Sequence, residues 1–240
     1  MKTVNFTETV EAKTKLDVLV EIGSVTIRPS TDNDIHIEAT YRHMDISVER
    51  HEDTIMVRAE QEDDLFVKLS RLFRNDHPKA ELIINVPAHC PIQTKVITGS
   101  LDVEGTAAAV TARVITGQLR LKKIAGPIYA KTTTGRLTYS GELTEENHRF
   151  ETTTGEILLT LPESTNAELF AQTGTGSLKC HLPLAEQREE RHLVGGKLRG
   201  VLGSGAGQVK AKIGTGSLVI RPLTFKQKEP ANLLKEAELV

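Results

Sequence analysis

A short pattern occurs eight times in this chain, and its repetition restricts the fold more than any other feature. Each copy begins with glycine, has an aliphatic residue two positions later and a mostly apolar residue four positions later. From the second copy onward the glycines are 18, 18, 20, 21, 20 and 20 residues apart, a period typical of stacked coils. The eight glycines are Gly23, Gly99, Gly117, Gly135, Gly155, Gly176, Gly196 and Gly216.

Residues on both sides of each glycine alternate in hydropathy with a period of two, which is typical of a strand with one buried face. Around Gly117 the apolar positions run Val110, Ala112 and Val114 before the glycine, and Leu119 after it. The parity therefore changes across the glycine. If one face is to stay inside, the chain must bend there, and glycine reaches positive φ without a Cβ clash. We predict two short strands per repeat, joined at a corner glycine.

Two topologies fit such a repeat. In a β-solenoid each repeat forms one coil, whereas in an antiparallel meander its two strands alternate within one sheet. Identical residues in equivalent positions favour the solenoid, because stacking places those positions next to one another. Threonine precedes six of the glycines, as Thr98, Thr116, Thr134, Thr154, Thr175 and Thr215. We therefore predict an all-β fold, a β-solenoid or β-helix-like stack of two-strand coils of 18–21 residues.

The repeats divide the chain into three regions. Residues 1–90 are predicted to form an N-terminal β-strand region continuous with the array, with a short inserted helix near 63–75. Residues 91–222 hold the solenoid repeats, interrupted by a charged run, 186–192, that is expected to be a solvated excursion. Residues 223–240 are expected to be a linker and a short helical tail, which caps the array or docks a partner.

Composition bears on partners and compartment. The 30 basic and 32 acidic residues give a net charge of −2, which offers no sign of a nucleic-acid or anionic-lipid partner. Aromatic residues are only 4% of the chain, so stacking surfaces are scarce. No apolar stretch approaches the roughly 20 residues of a membrane helix, and no signal peptide is evident. We expect no nucleic-acid partner, no integral membrane segment and a cytoplasmic location, with cell-envelope association as the alternative.

Metal and cofactor sites are not indicated by the sequence. Two adjacent thiol and imidazole pairs, His89 with Cys90 and Cys180 with His181, offer four zinc ligands on paper. The pairs are 90 residues apart in a linear stack, however, and two cysteines in all fit a reducing compartment. No phosphate-binding glycine loop, dinucleotide fingerprint or nucleophile elbow occurs in a strand-to-helix context. We expect no metal, no cofactor and no catalytic residue.

Two alternative functions remain open. A polysaccharide-acting β-helix enzyme would gather carboxylates along one groove, but the acids here do not recur at equivalent positions. An ice-binding solenoid would carry flat columns of threonine, for which the triplets at 132–134 and 152–154 are candidates. Threonine is also a good strand residue whose hydroxyl can bond along a ladder, so the triplets are compatible with a purely structural role.

Several phrases resemble a known family. They are Thr-Gly-Ser-Leu-Asp-Val at 98–103, Thr-Thr-Thr-Gly-Arg-Leu-Thr-Tyr at 132–139, Thr-Thr-Thr-Gly-Glu-Ile-Leu-Leu at 152–159, Thr-Gly-Thr-Gly-Ser-Leu at 173–178 and Ile-Asn-Val-Pro at 84–87. Together they resemble the bacterial "putative adhesin" β-strand-repeat family, a domain of unknown function. The likeness covers about residues 80 to 222 well and the first 60 weakly. It implies a stacked β-helix-like fold and an envelope-associated or cell-surface role, sometimes beside stress-response regulators.

Together these observations predict a non-catalytic β-repeat scaffold that interacts with a protein or an envelope component. The oligomeric state is not specified by the sequence. Insertions on a rigid repeat array commonly carry specificity, so we place the interaction candidates in the two interruptions. They are Leu65, Phe66, Leu69, Phe73, Arg188, Glu189 and Arg191.

Overall fold

The computed structural model describes residues 1–61, 77–192 and 194–223, which form strands and short turns. The predicted helices near 63–75 and in the C-terminal tail fall on residues outside these ranges, and the described residues contain no helix. None of them therefore belongs to a helix able to span a membrane. The strands are β1 Lys2–Thr9, β2 Lys15–Pro29, β3 Asp34–Arg42, β4 Met44–His51, β5 Thr54–Gln61, β6 Lys79–Val86, β7 Ile92–Glu104, β8 Val110–Lys122, β9 Ile128–Ser140, β10 Asn147–Leu161, β11 Ala167–Cys180, β12 Ala185–His192, β13 Gly195–Leu202 and β14 Gly207–Pro222.

The seven long strands stack in parallel, in the order β2, β7, β8, β9, β10, β14 and β11. Their glycines are in register, so that Gly99 lies beside Gly117, and Gly135 beside Gly155. Aliphatic residues two positions later are also in register. Since every pair in this series is parallel, the repeats form a solenoid-like stack and not an antiparallel meander.

Each long strand bends at its glycine and contributes to two layers. We call the segments before the glycines the N-layer and those after them the C-layer. In β2, residues 15–20 pair with β5 while residues 23–29 pair with β6, so the two layers end on different strands. Inward side chains of both layers belong to one hydrophobic cluster. Leu119 and Leu137 are fully buried in it, and Leu178, at the end of the stack, is half-buried against it.

The corner glycines are required by a close approach of backbones. A Cβ on Gly135 would lie 1.8 Å from the carbonyl oxygen of Gly117, and one on Gly155 would lie 1.9 Å from that of Gly135. Seven of the eight predicted corner glycines also have φ between 124° and 149°, a region that other residues rarely adopt. Stacking therefore needs glycine at this position in every coil, for steric and for conformational reasons.

Gly196 differs from the other seven. Its φ is not positive. Gly196 lies in β13, which pairs antiparallel with β11, and it is opposite Thr173. Leu198 is consequently buried opposite Ala171, away from the aliphatic column. The eighth copy matches the pattern because a strand with one buried face also alternates, but it is not a coil. The charged run 186–192, predicted to be a solvated excursion, lies in β12, an edge strand paired with β13 in which residues 186–190 are exposed.

The order of the last coils also departs from a sequential stack. The final long strand, β14, lies between β10 and β11, so that Gly216 is flanked by Gly155 and Gly176. The far side of β11 is occupied along residues 167–173 by β13. Because the repeats carry the same residues at equivalent positions, sequence columns specify which positions align but not which coils are neighbours.

We expect Leu137→Asp to unfold the stack or destabilise it severely. The substitution removes a fully buried leucine, worth about 1.5–3 kcal/mol, and places a carboxylate in the apolar core. The combined loss is large against a typical net stability of about 5–15 kcal/mol. Urea denaturation followed by circular dichroism measures it. Thr138→Asp, on the outward-facing neighbour, is the matched control, and an unchanged unfolding midpoint for Leu137→Asp would contradict the core assignment.

A single methyl group at a corner should also be costly. We expect Gly135→Ala to lower the free energy of unfolding by more than about 2 kcal/mol, because the new Cβ meets a carbonyl oxygen and the backbone has φ of +139°. Arg136→Ala changes the adjacent exposed residue, which forms an ion pair with Glu156, and should cost less than about 1 kcal/mol. Equal losses for the two variants would show that the corner has no special need for glycine.

Candidate interaction face

The outer surface of the N-layer carries two rows of side chains that run across the strands. Alternate residues of each strand face outward, and the register of β7, β8, β9, β10, β14, β11, β13 and β12 aligns them. The first row is Gln93, Thr111, Tyr129, Arg149, Lys210, Phe170, Arg199 and Arg188; the second is Lys95, Arg113, Lys131, Glu151, Lys212, Gln172, Lys197 and Glu190. We call these sixteen residues the basic stripe.

The basic stripe holds nine basic and two acidic side chains, on a chain whose overall charge is −2. It crosses eight strands spaced about 4.8 Å apart, which gives a length of about 34 Å. The two rows are separated by about 7 Å, the rise of two residues along a strand. The result is a narrow, positively charged band whose long axis lies across the strands.

Uncharged residues border the stripe on the side of the glycine corners. The next outward-facing row consists of Ile97, Ile115, Thr133, Thr153, Gly214 and Gly174. Beyond β7, where the same two rows continue onto β2 and β5, the guanidinium of Arg58 is 2.8 Å from the carboxylate of Asp17. The excess positive charge is thus confined to the strands from β7 to β12.

Most of these cations have no acidic partner. Arg149 donates to Glu151 at 2.6 Å, and Lys197 lies 3.6 Å from Glu190. Within the described residues, no carboxylate lies within 4.0 Å of the other seven basic groups, which are Lys95, Arg113, Lys131, Arg188, Arg199, Lys210 and Lys212. Their charge is therefore available to a ligand.

Two aromatic rings organise the cations. The Phe170 ring lies 5.1 Å from the guanidinium carbon of Arg199 on one neighbouring strand, and 5.8 and 5.6 Å from the ammonium groups of Lys210 and Lys212 on the other. Each such contact contributes about 0.5–1 kcal/mol at an exposed site. An open groove of about 560 Å³ lies over this cluster and is also lined by Arg188 and by the carboxylates of Glu168 and Glu186. Three cations are thereby held around one ring at the floor of a groove.

Tyr129 repeats the arrangement three strands away along the stack. The guanidinium carbons of Arg113 and Arg149 lie 5.3 and 5.5 Å from its ring centroid. Since Arg113 and Arg149 come from the two strands next to β9, this ring also has cations on both sides.

The outer surface of the C-layer has a different charge pattern. Arg120 is 3.1 Å from Asp102 on the adjacent strand, and Arg136 is 2.7 Å from Glu156. Opposite charges therefore neutralise each other between neighbouring strands. The excess of positive charge on this surface is therefore smaller than that of the basic stripe.

Cys90 and Tyr139 belong to the hydrophobic core, and Cys180 is packed against it. Burial raises the pKa of the Cys90 thiol to about 11, and it also raises the pKa of Cys180 and of Tyr139. A raised pKa leaves less thiolate, so neither cysteine is an activated nucleophile. Cys90 precedes β7 and Cys180 ends β11, with four long strands between them in the stack. The described residues contain no group of three or more His, Cys, Asp and Glu side chains that could hold a metal.

A polar cluster at the turn between β2 and β3 has a structural explanation. Asp32 accepts hydrogen bonds from the Ser30 hydroxyl at 2.7 Å and from the Asp34 amide at 3.1 Å, and His36 Nε2 is 2.9 Å away. These bonds lower the pKa of Asp32 to about 2, the Ser30 bond having the largest effect. Ser30 donates to the carboxylate and not to the imidazole, so the serine has no general base.

The sequence-predicted interaction residues are only partly brought together. Arg188 lies in the basic stripe, and Glu189 is its exposed neighbour on β12. The backbone of Arg191 pairs with Gly196. Leu65, Phe66, Leu69 and Phe73 lie outside the described residues. The corner glycines line the bend between the two layers and not the stripe.

The stripe itself was missed by sequence reasoning, although a signal was present. Four residues before the corner glycines of β7, β8, β9, β10, β11 and β14 stand Lys95, Arg113, Lys131, Glu151, Gln172 and Lys212. This column is mostly basic, but it becomes visible only when the repeats are aligned on their glycines. Net charge conceals it, because acids elsewhere on the chain balance the sum. The contacts of Tyr129 and Phe170 with these cations had no repeat signal, since aromatic residues stand at that position in only two coils.

A known protein family matches the strands that carry the basic stripe. A sequence profile of the Toastrack DUF4097 family matches residues 91–221, more than half of the chain. This chain belongs to the Toastrack DUF4097 family. The matched span runs from β7 to β14 and includes every residue of the basic stripe.

Solved structures similar to this Toastrack protein have low sequence identity. A putative cell adhesion protein from Clostridium sporogenes is 16% identical, with 92% of this chain and 100% of that chain covered and a TM-score of 0.47. A putative adhesin from Bacteroides fragilis is 12% identical (92% and 97% covered, TM-score 0.32). A putative lipid binding protein from Parabacteroides distasonis is 9% identical (93% and 96% covered, TM-score 0.35). A search of curated proteins found no match.

His148 should make the stability of the fold depend on pH. Burial lowers its pKa below the ordinary 6.5, against the opposing effects of its hydrogen bond to the Thr144 carbonyl and of Glu146. Below pH 6.5 the unfolded chain therefore binds a proton that the folded chain resists. We expect the free energy of unfolding to fall as pH is lowered from 7.5 to 5.5, measured by urea denaturation at each pH.

His148→Gln should flatten this pH dependence, because the replacement has no group that titrates in the range. His181→Gln is the matched control, since the His181 side chain is exposed, and it should keep the wild-type slope. An unchanged slope for His148→Gln would show that other groups determine the pH dependence.

Proposed function

We propose that this Toastrack protein is a non-catalytic β-repeat scaffold that binds a negatively charged partner at the cell envelope through the basic stripe. The observation that carries the proposal is the set of seven cations on one face that have no carboxylate within 4.0 Å among the described residues, in a chain with a net charge of −2. Charge of one sign on an exposed face attracts and orients a partner of the opposite sign.

The fold supports a binding role because it holds the cations at fixed spacing. Each stripe residue sits on a strand that pairs with its neighbours along its length. Inward residues of the same strands are locked in the core. A surface ordered before binding loses little conformational freedom when the partner arrives, which favours affinity.

The states of the two cysteines and of Ser30 support the non-catalytic part of the proposal. Both cysteines have raised pKa values, and the Ser30 hydroxyl is bonded to a carboxylate. None of these residues lies in the basic stripe.

Neutralising the cluster around Phe170 tests the proposal. We expect the triple variant Lys210→Gln, Lys212→Gln and Arg199→Gln to bind isolated cell envelopes at least tenfold more weakly than the wild type at low ionic strength. The binding is measured by co-sedimentation of the purified protein. Added salt should weaken wild-type binding, because screening reduces attraction between exposed charges.

The matched control removes three cations from the C-layer. Arg28→Gln, Lys122→Gln and Lys179→Gln change the net charge by the same amount at exposed positions. This variant should bind like the wild type. The proposal fails if both triple variants lose binding equally, or if the Phe170-cluster variant binds normally while its thermal melt is unchanged.

A further inference from the structure

We infer that the basic stripe binds an extended phosphodiester polymer, such as a polyol-phosphate chain, lying across the strands. This inference rests on the proposed function and specifies the chemistry of the partner. Three features of the stripe support it: its shape, the way its donors converge, and the state of its aromatic rings.

The shape of the stripe fits a single extended chain. Its charges form a band about 34 Å long and two rows wide. On the corner side it is bordered by the uncharged row from Ile97 to Gly174. A folded acidic protein or a bilayer surface would contact a broad area, and a narrow band of charge would attract only a small part of that area. A linear polyanion can instead place consecutive charges along the whole band.

The donors suit phosphate groups. At the Phe170 cluster the cations of Arg199, Lys210 and Lys212 approach one ring from both neighbouring strands. With Arg188 they give the groove four basic side chains against the two carboxylates of Glu168 and Glu186, so positive charge is in excess there. A phosphodiester carries oxygens that accept from several donors at once and pairs well with the forked guanidinium group. Mutual repulsion among these cations is relieved when an anion binds between them.

The surroundings of the Phe170 and Tyr129 rings disfavour the stacking of nucleic-acid bases on them. Sequence-independent single-strand binding proteins stack bases on exposed aromatic side chains. Here Phe170 and Tyr129 each have cations on both sides, at 5.1–5.8 Å from the ring centroids. A base would have to displace these cations to reach a ring. The arrangement therefore favours a polymer recognised by its phosphates over a nucleic acid recognised through its bases.

The test adds synthetic poly(glycerol phosphate) of about 20 units to the purified 240-residue chain. Affinity is measured by isothermal titration calorimetry at several salt concentrations. Each phosphate contact contributes about −0.7 to the slope of log K against log salt for a flexible single strand, so six contacts would give a slope of about −4. We expect the triple variant at Lys210, Lys212 and Arg199 to reduce the slope by about 2, while the C-layer control keeps it.

Further arms decide between polymer classes. A glycerol phosphate trimer, too short to span the stripe, should bind at least tenfold more weakly than the long chain. Oligo(dT) of equal charge should bind no more tightly, and its affinity should not depend on Phe170→Leu. Poly-glutamate and anionic vesicles should bind more weakly than poly(glycerol phosphate). Tighter binding to any of these three, or oligo(dT) binding that requires Phe170, overturns the inference.

Failure of the inference can be told apart from failure of the proposed function. If poly(glycerol phosphate) does not bind but envelopes still bind in a manner that depends on Lys210, Lys212 and Arg199, the partner is anionic but of another class. If neither binds, both ideas are wrong. A normal thermal melt of each variant establishes that lost binding is not lost folding.

Discussion

The close packing of backbones at the glycine corners is the constraint on which the rest of the structure depends. Each corner carbonyl occupies the space that a Cβ of the next coil would need. The coils can therefore approach to strand-pairing distance at the bend, and both layers keep their parallel pairing in one register. Without that approach the N-layer and the C-layer would separate at their common edge, and the inward columns would lose their shared core.

The same regularity has an electrostatic consequence. Parallel, in-register strands place equivalent residues side by side. A basic residue that recurs at one position of the repeat therefore has basic neighbours on the adjacent strands, at a strand spacing of about 4.8 Å. On the C-layer the neighbours alternate in sign, as in Arg120 with Asp102. In the N-layer Lys95, Arg113 and Lys131 are adjacent without an intervening acid. Their repulsion opposes folding and must be offset by the core, which is the pattern expected where a surface is kept for binding.

Much of the fold follows from the sequence because its main forces are local and periodic. The corner glycines and the aliphatic column at Leu101, Leu119 and Leu137 could be read directly from spacing and alternation. The position of β14 could not, since equivalent repeats offer the same contacts to any neighbour. At Gly196 the pattern predicted a coil and was wrong, because an antiparallel strand with one buried face has the same alternation of apolar residues. The stripe was hidden because it depends on which strands adjoin, and because net charge averages over both layers.

The placement of β14 between β10 and β11 has a consequence for biosynthesis. While the nascent chain emerges from the ribosome, β11 is complete before the strand that will separate it from β10 has been made. The edge of β10 that pairs with β14 therefore has no partner strand until residues 207–222 have been synthesised. The last long strand thus takes an internal position in the stack and not a position at its end. Loss of residues 207–222 would therefore remove an internal coil, and β10 and β11 would each lose a pairing partner.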